Sequence, residues 1–437
     1  MRMHFAYDAR GGDRLPFQQR LKEIREGFQP AFWVANGTEL FERLAYYGQQ
    51  AVLAIFLHEQ LKFSVEETGR LQGFFGFVVW FLPILGGTLA DRFGFRRSLA
   101  AAYLVLSVGY FLLGSLSAAW MAPLRDALPL YWLVFAILMV PAIGPSIVKP
   151  VVAGTTARAS NDNVRSLGYS IYYTLVNIGG FLGPVMAFFV RRSIGIENVF
   201  RVAALSVFLM FFATLIFYRE PARQPGEQVA SIGAALRNVG MVLRNLRFIT
   251  FLLIFSGFYI VFWQEFIALP LFIRGYVDPA ADVDLLTSVE ALTVISLQVL
   301  VSYLTRKLPA FTVMTSGILI AALSWVLLAI HPSVPMAIAS LVVLGIGEIT
   351  QAPRYYEYIS RLAPRGQEGL FMGYAFLPIA IGYFIAGPLG GRLLHYFGEV
   401  RHAPEQLWLV VAGIGILTTL LMYIYNRVLG TGASTSK

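Results

Sequence analysis

The sequence predicts an all-α membrane protein with twelve transmembrane helices in two six-helix bundles. Three observations carry that prediction. Of 437 residues, 57% are hydrophobic and only 14% charged, against roughly 25% charged in soluble domains. Twelve apolar windows have the ~20-residue length that crosses a ~30 Å hydrocarbon core. One hydrophilic stretch, with Pro221, Pro225 and Gly226 at its start, divides the windows six and six.

In chain order, residues 1–30 are polar and basic, without the apolar h-region of a signal peptide, so the first apolar helix is expected to target the chain. Phe17, Leu21, Ile24 and Phe28 recur among Arg20, Lys22 and Arg25, the pattern of an amphipathic cytoplasmic segment. The first bundle, 31–218, holds windows at 31–57, 68–90, 98–118, 129–153, 164–190 and 199–218. The linker, 219–247, carries Ile232, Leu236, Val239, Leu243 and Leu246 at alternating steps of four and three. That spacing reads as a second amphipathic helix on the inner membrane surface; a solvated linker with chance periodicity is the plainer alternative. The second bundle, 248–429, holds windows at 248–273, 285–305, 311–330, 335–360, 368–394 and 405–427, and 430–437 form a cytoplasmic tail. A six-plus-six chain is typical of carriers with a substrate site near the midplane.

The net charge of +9 does not point to nucleic acid. With both termini inside, most of the 34 Lys and Arg residues fall on inner loops and tails, which marks the cytoplasmic side. The expected location is a cell membrane, a bacterial inner membrane, with the chain a multi-pass monomer in the lipid bilayer. There is no cysteine, so no disulfide informs the compartment.

Several spans carry charge, which costs roughly 3 kcal/mol or more at the bilayer centre and therefore faces the bundle interior or water. Asn36, Glu39, Arg43, Tyr46 and Gln50 fall on one helical stripe, with Glu42 and Tyr47 beside it. A purely structural Glu–Arg lock between helices is the bland alternative. Lys149 lies in "GPSIVKPVVAG", between Pro145 and Pro150, which loosen the helix. It either faces the first-span carboxylates or snorkels to the inner surface. In "GEITQAPRYYEYISRLAP", Glu348, Gln351, Tyr355 and Tyr358 form a stripe, Pro353 permits a bend, and Arg354 and Glu357 are spaced to pair with each other. Glu265 in the seventh span and Glu290 near the start of the eighth are equally costly, although Glu290 alternatively marks only the outer mouth. Six acids (Glu39, Glu42, Glu265, Glu290, Glu348, Glu357) face three bases (Arg43, Lys149, Arg354). Such a surplus cannot stay fully ionised in low dielectric, and intramembrane Glu chains of this kind relay protons. It also leaves room for a cationic group on a substrate. "GGTLADRFGFRRS", 86–98, reads as an inner loop in which the glycines allow a tight turn. Asp91 there accepts from a helix N-terminus or an arginine, and Arg92, Arg96 and Arg97 hold the inner face.

"GGTLADRFGFRRS" resembles the inner-loop signature of the major facilitator superfamily, and "ELFERLAYYG" (39–48) resembles the E-x-x-E-R-F-x-Y-Y-G signature of its proton-dependent oligopeptide transporters. The resemblance continues in "IVKP", "YYTLVNIGGFLGP" (172–184), "GFYIVFWQE" (257–265) and "GEITQAP…LAPRGQEGLFMG" (347–373). It implies the major facilitator fold and proton coupling through Glu39, Glu42, Arg43, Lys149 and Glu348. Glu42 would be the proton site, salt-bridged to Arg43 and Lys149. Arg43 and Lys149 would hold a substrate carboxylate and Glu348 a substrate amino group. Tyr46, Tyr47, Gln50, Asn177, Trp263, Glu290 and Ala375 would line the pocket. Gly87, Asp91, Arg92, Gly94, Arg96 and Arg97 would gate the conformational change. No cofactor and no metal is implied.

Four positions depart from the family pattern. Gln50 stands where the family has arginine, Ala375 where it often has tryptophan, Glu290 where it has asparagine, and Arg354, just after Pro353, is an addition. The first three predict a more acidic pocket with extra room beside the eleventh span, suited to a peptide-like substrate bearing an added cationic or bulky group; Arg354 returns one positive charge if it points inward. The leading function is proton-coupled symport of a small zwitterion. Export of drugs or metabolites by proton antiport uses the same architecture. A non-transporting receptor would not need an intact proton-site constellation. An enzyme is least compatible: the histidines, His4, His58, His331, His395 and His402, form no nucleophile or metal cluster within the spans.

Overall fold

The computed structural model describes residues 26–222, 240, 244–362 and 368–429. Those residues are almost entirely helical: α1 Pro30–Ile55, α2 Val65–Phe81, α3 Pro83–Phe93, α4 Phe95–Gly114, α5 Ala122–Ala127, α6 Leu130–Arg158, α7 Arg165–Ile194, α8 Glu197–Phe217, α9 Leu246–Phe262, α10 Gln264–Phe272, α11 Val283–Thr305, α12 Ala310–Ile330, α13 Val334–Leu362, α14 Glu368–Gly373, α15 Leu377–Leu393 and α16 Gln406–Leu429. Wider π turns extend α1 to Gln60, α10 to Val277 and α15 to Val400.

Ten of these elements, some continuous across a bend, are long and apolar enough to cross a membrane. Two predicted spans fall outside that group for visible reasons. The first, α1, carries Glu39, Glu42 and Arg43 in its middle. The second is broken at Leu82–Pro83 into α2 and α3, because proline has no N–H to continue the ladder. Helices before residue 217 pack mainly on one another, as do those after 246. The two groups meet where α2 lies on α15, α7 on α11, and α1 on α10 and α11. The α2–α15 contact is close enough that Gly69 meets the Gly387 carbonyl backbone to backbone, where a Cβ would collide.

The ends of this assembly differ. At the end holding the 57–65 and 277–283 connections, ion pairs cross between the two groups. Arg274 Nε lies 2.9 Å from Glu59 Oε1. Arg191 reaches Asp282 and Asp284, each at 2.7 Å, and Asp284 is only 1% exposed. At the opposite end α7 and α11 part around an open cavity of about 790 Å³, lined by Arg165, Ser166, Tyr169, Ser170, Tyr173, Thr174, Gln298 and Val299.

Three expectations change. Residues 86–93 are not a loop: Gly86, Gly87 and Asp91 are helical, and the turn to α4 is Gly94 alone, at φ +88°. Phe28 is not on a membrane surface but buried and stacked on Phe32, centroids 4.2 Å apart, while Gln29 donates to the Ala159 carbonyl at 2.9 Å. The rest of the N-terminal amphipathic segment, Ile232–Leu243 of the linker pattern and the 430–437 tail lie outside the described residues. Leu246, the last of that pattern, opens α9.

Candidate functional site

The first-span stripe is buried inside the bundle. Asn36, Glu39, Glu42, Arg43, Tyr46 and Gln50 are each at most 1% exposed. Arg43 Nε lies 2.5 Å from Glu42 and 3.2 Å from Glu39, so one guanidinium serves two carboxylates. Apart from that ion pair, both oxygens of Glu39 and Oε1 of Glu42 have no hydrogen-bond partner among the described residues. Breaking a buried pair costs about 3–5 kcal/mol because it leaves an uncompensated charge. The guanidinium also lies 5.2 Å from the Tyr46 ring centroid. Gln50 donates to the Tyr383 hydroxyl at 2.5 Å, linking the two helix groups, and Asn36 donates to Thr156 at 3.4 Å.

Lys149 differs from the expected arrangement. Helix α6 runs on to Arg158, so Lys149 is more than two turns from the helix end and does not snorkel. The ion pair to Glu42 is not among the described salt bridges. Instead Nζ lies 3.2 Å from the centre of the Trp80 ring and 5.9 Å from that of Phe376. A desolvated cation over tryptophan gains about 2 kcal/mol. Glu39, Glu42 and Arg43 remain within electrostatic range of the ammonium.

A second acidic group comes from α10, α11 and α13. Glu265, Glu290 and Glu348 interact electrostatically with one another. Glu265 is fully buried, and among the described residues neither of its oxygens nor Oε1 of Glu290 has a hydrogen-bond partner. None of the described ion pairs involves these three carboxylates. Tyr47 and Tyr173 are within electrostatic range of Glu290 and Glu348. Asn177 is half-buried and donates to the Tyr173 carbonyl at 2.8 Å. Trp263 is 3% exposed, with its indole N–H unpartnered and its ring 4.3 Å from that of Tyr383.

Ala375 does not open space. It is fully buried in a 3₁₀ turn, Tyr374–Phe376, and its carbonyl accepts from Tyr355 at 2.8 Å. The ring that reaches the site from this segment is Phe376, 6.0 Å from Trp80. Arg354 and Glu357 pair with each other at 2.7 Å, and Arg354 also donates to the Thr305 carbonyl at 3.0 Å. They tie α13 to the end of α11.

In the helix–glycine–helix segment, Asp91 pairs with Arg158 of α6 at 3.1 Å rather than with Arg92, Arg96 or Arg97. The N-terminus of α4 is held by Glu220, which accepts from Phe95 N–H at 2.9 Å and Arg96 N–H at 3.4 Å. Gly94 is required by its φ of +88°; a Cβ there would also press on the movable end of the Glu220 side chain. The Arg96 guanidinium donates to the Leu215 carbonyl, Arg92 lies 5.8 Å from the Phe93 ring, and Arg97 is exposed. Sequence reasoning missed Trp80, Phe376, Tyr383, Arg158 and Glu220. It also missed the Arg165–Tyr169–Tyr173 run, whose four-residue spacing leads along α7 to Asn177 and was readable.

The Major Facilitator Superfamily model matches residues 38–278 and 266–436. Dipeptide and tripeptide permease B of Edwardsiella piscicida is 27% identical over 211 residues, covering 47% of this chain and 41% of that protein. Dipeptide and tripeptide permease A of Escherichia coli (strain K12) is 28% identical over 201 residues, covering 45% of this chain and 38% of that protein. The chain thus spans about two fifths of the length of these curated relatives. A solved POT family transporter in complex with 5-aminolevulinic acid superposes with a TM-score of 0.75 at 18% identity, covering 91% of this chain and 96% of that one. A peptide transporter POT in complex with sulfate superposes with a TM-score of 0.72 at 18% identity, covering 92% and 94%. Together with the membrane-length helices, these matches make the chain a multi-pass membrane protein with the fold of these transporters. It belongs to the Major Facilitator Superfamily, and the relatives and structural neighbours it matches lie on the peptide-transporter branch of that superfamily.

Proposed function

We propose that the chain is a proton-coupled symporter of a small, peptide-like zwitterion, working by alternating access between bundles 31–218 and 248–429. The observation that carries this is the fully buried Glu39–Arg43–Glu42 arrangement, with a second cation, Lys149, in range but not ion-paired. One cation shared by two carboxylates can change partners when a proton arrives, which is the charge-biased two-state element that coupling requires. Both termini lie in the cytoplasm of a bacterial inner membrane, the open cavity faces inward, and the chain acts as a monomer. Arg43 and Lys149 take the substrate carboxylate, Glu348 the amino group, and Tyr46, Tyr47, Gln50, Asn177 and Trp263 line the pocket. The test is uptake into proteoliposomes with and without an inward proton gradient. Gradient-driven accumulation supports symport; gradient-driven efflux would replace it with antiport.

Substrate chemistry follows from the acidic group on the second bundle. Three interacting carboxylates without an ion pair favour a ligand that brings an extra positive charge. In a thermal-shift screen, lysyl peptides, polyamine conjugates or amino sugars should bind at least ~10-fold tighter than Ala-Ala, about 1.4 kcal/mol, and Glu290→Asn should erase the difference. Selective binding of neutral dipeptides, unchanged by that substitution, would overturn the reading.

Asp91 acts on the conformational equilibrium, because it ties the α3–α4 corner to the end of α6. Asp91→Asn should shift that equilibrium by about 1–3 kcal/mol, lowering turnover more than affinity. A large loss of affinity at unchanged turnover would assign Asp91 to binding instead.

A further inference from the structure

Lys149 is 9% exposed, and no carboxylate among the described residues lies within ion-pair distance of it. Both nearby carboxylates are engaged by Arg43. An ammonium in a bundle interior must have some partner, and here the partner is an aromatic face. Trp80 supplies it at 3.2 Å. The ring sits at the end of α2, two residues before the Leu82–Pro83 break. It is braced by Trp263 and Phe376, each with centroids 6.0 Å away. Both bracing residues belong to helices of the other group, so the seat of the lysine is assembled across the junction that alternating access must remodel.

We propose that Trp80 is a positioning residue for Lys149. Its ring face holds the Lys149 amino group in place while Arg43 occupies Glu39 and Glu42. Lys149 is then the waiting cation that takes whichever carboxylate Arg43 releases. When the halves move, Trp263 and Phe376 move with the second group, the seat loosens, and the lysine transfers. This assignment rests on the coupling reading above.

The indole N–H of Trp80 is buried beside Tyr46, and substitution can separate it from the ring face. Trp80→Phe keeps a face and removes the N–H; Trp80→Leu removes both. In purified protein, Trp80→Leu should lower the thermal midpoint by several degrees, and this penalty should vanish in a Lys149→Met background. In proteoliposomes, Trp80→Leu should move the pH midpoint of gradient-driven uptake and lower turnover about tenfold. Trp80→Phe should restore both. If Trp80→Leu does not fold, biosynthetic mono- and difluorotryptophan weaken the ring face stepwise at nearly constant shape. The midpoint should then fall stepwise with Lys149 present and stay level in Lys149→Met. An equal penalty in both backgrounds, or a Trp80→Phe variant as impaired as Trp80→Leu, overturns the proposal. Failure of the parent protein to respond to a proton gradient would defeat the coupling reading alone, because the stability cycle does not depend on transport.

Discussion

Glu42→Gln is expected to abolish accumulation of substrate while leaving exchange intact. A pH difference of one unit supplies about 1.4 kcal/mol per proton, so a one-proton symporter can sustain a ~10-fold concentration ratio without a membrane potential. In the variant that ratio should fall to one. The fold should survive, because Arg43 keeps Glu39 at 3.2 Å and glutamine matches the shape of the side chain it replaces. Counterflow, in which labelled substrate exchanges for unlabelled with no net proton movement, should continue at a rate within a few-fold of the parent. Glu39→Gln is a useful contrast. Arg43 lies closer to Glu42, at 2.5 Å, than to Glu39, so this variant should slow transport yet still concentrate substrate. If Glu42→Gln concentrates substrate against its gradient, the coupling proton binds elsewhere, and the acidic group of Glu265, Glu290 and Glu348 becomes the next site to test.

The first-span stripe was legible in the sequence because two local rules agree there. Charge is expensive in an apolar window, and the three-and-four spacing puts Asn36, Glu39, Arg43, Tyr46 and Gln50 on one face. The spans were legible for the same reason, even where α1 is too charged and α2–α3 too bent to pass a simple hydropathy threshold. The partners were not. Lys149 rests on Trp80, and an aromatic residue inside an apolar window carries no signal that separates a cation seat from core packing. Asp91 pairs with Arg158, a residue on another helix. The cap of α4 is Glu220, beyond the end of α8. Only the folded chain brings such residues together. Ala375 was misread because the 3₁₀ turn at Tyr374–Phe376 breaks the helical period, so the residue that enters the site is one position further on. The charges that cross at the Glu59 end, Arg191, Asp282, Asp284 and Arg274, read only as loop or helix-end charges. Nothing in their spacing says that they meet across the two halves.

Those crossing charges set the second large effect. Arg191→Gln should unlatch the end that the structure holds shut. Arg191 of α7 binds Asp282 and Asp284 ahead of and within α11, each at 2.7 Å, and a second pair, Arg274 with Glu59, repeats the tie between α10 and α1. Asp284 is 1% exposed but Arg191 is 21% exposed. Water therefore screens one side, and the effect lies below the 3–5 kcal/mol of a fully buried pair, at about 1–3 kcal/mol. Such a shift multiplies the population of the opened state by roughly 5–150. The absence of cysteine from the chain makes this measurable. Ala291 is 6% exposed and lies two turns deeper on α11 than Asp284. A single Ala291→Cys reporter should react slowly with a membrane-impermeant maleimide applied from the outer side, and at least ~10-fold faster when combined with Arg191→Gln, consistent with a closed end released by ~1.4 kcal/mol. Substrate affinity measured from the inner side should fall in the same variant only as far as the inward-open fraction falls, because apparent affinity scales with that fraction. Arg191→Lys cannot reproduce the two-pronged contact with both aspartates, and should fall between the parent and Arg191→Gln. Equal labelling rates in all three proteins would mean that the close helix packing of α2 on α15 holds this end shut and that the ion pairs merely accompany it.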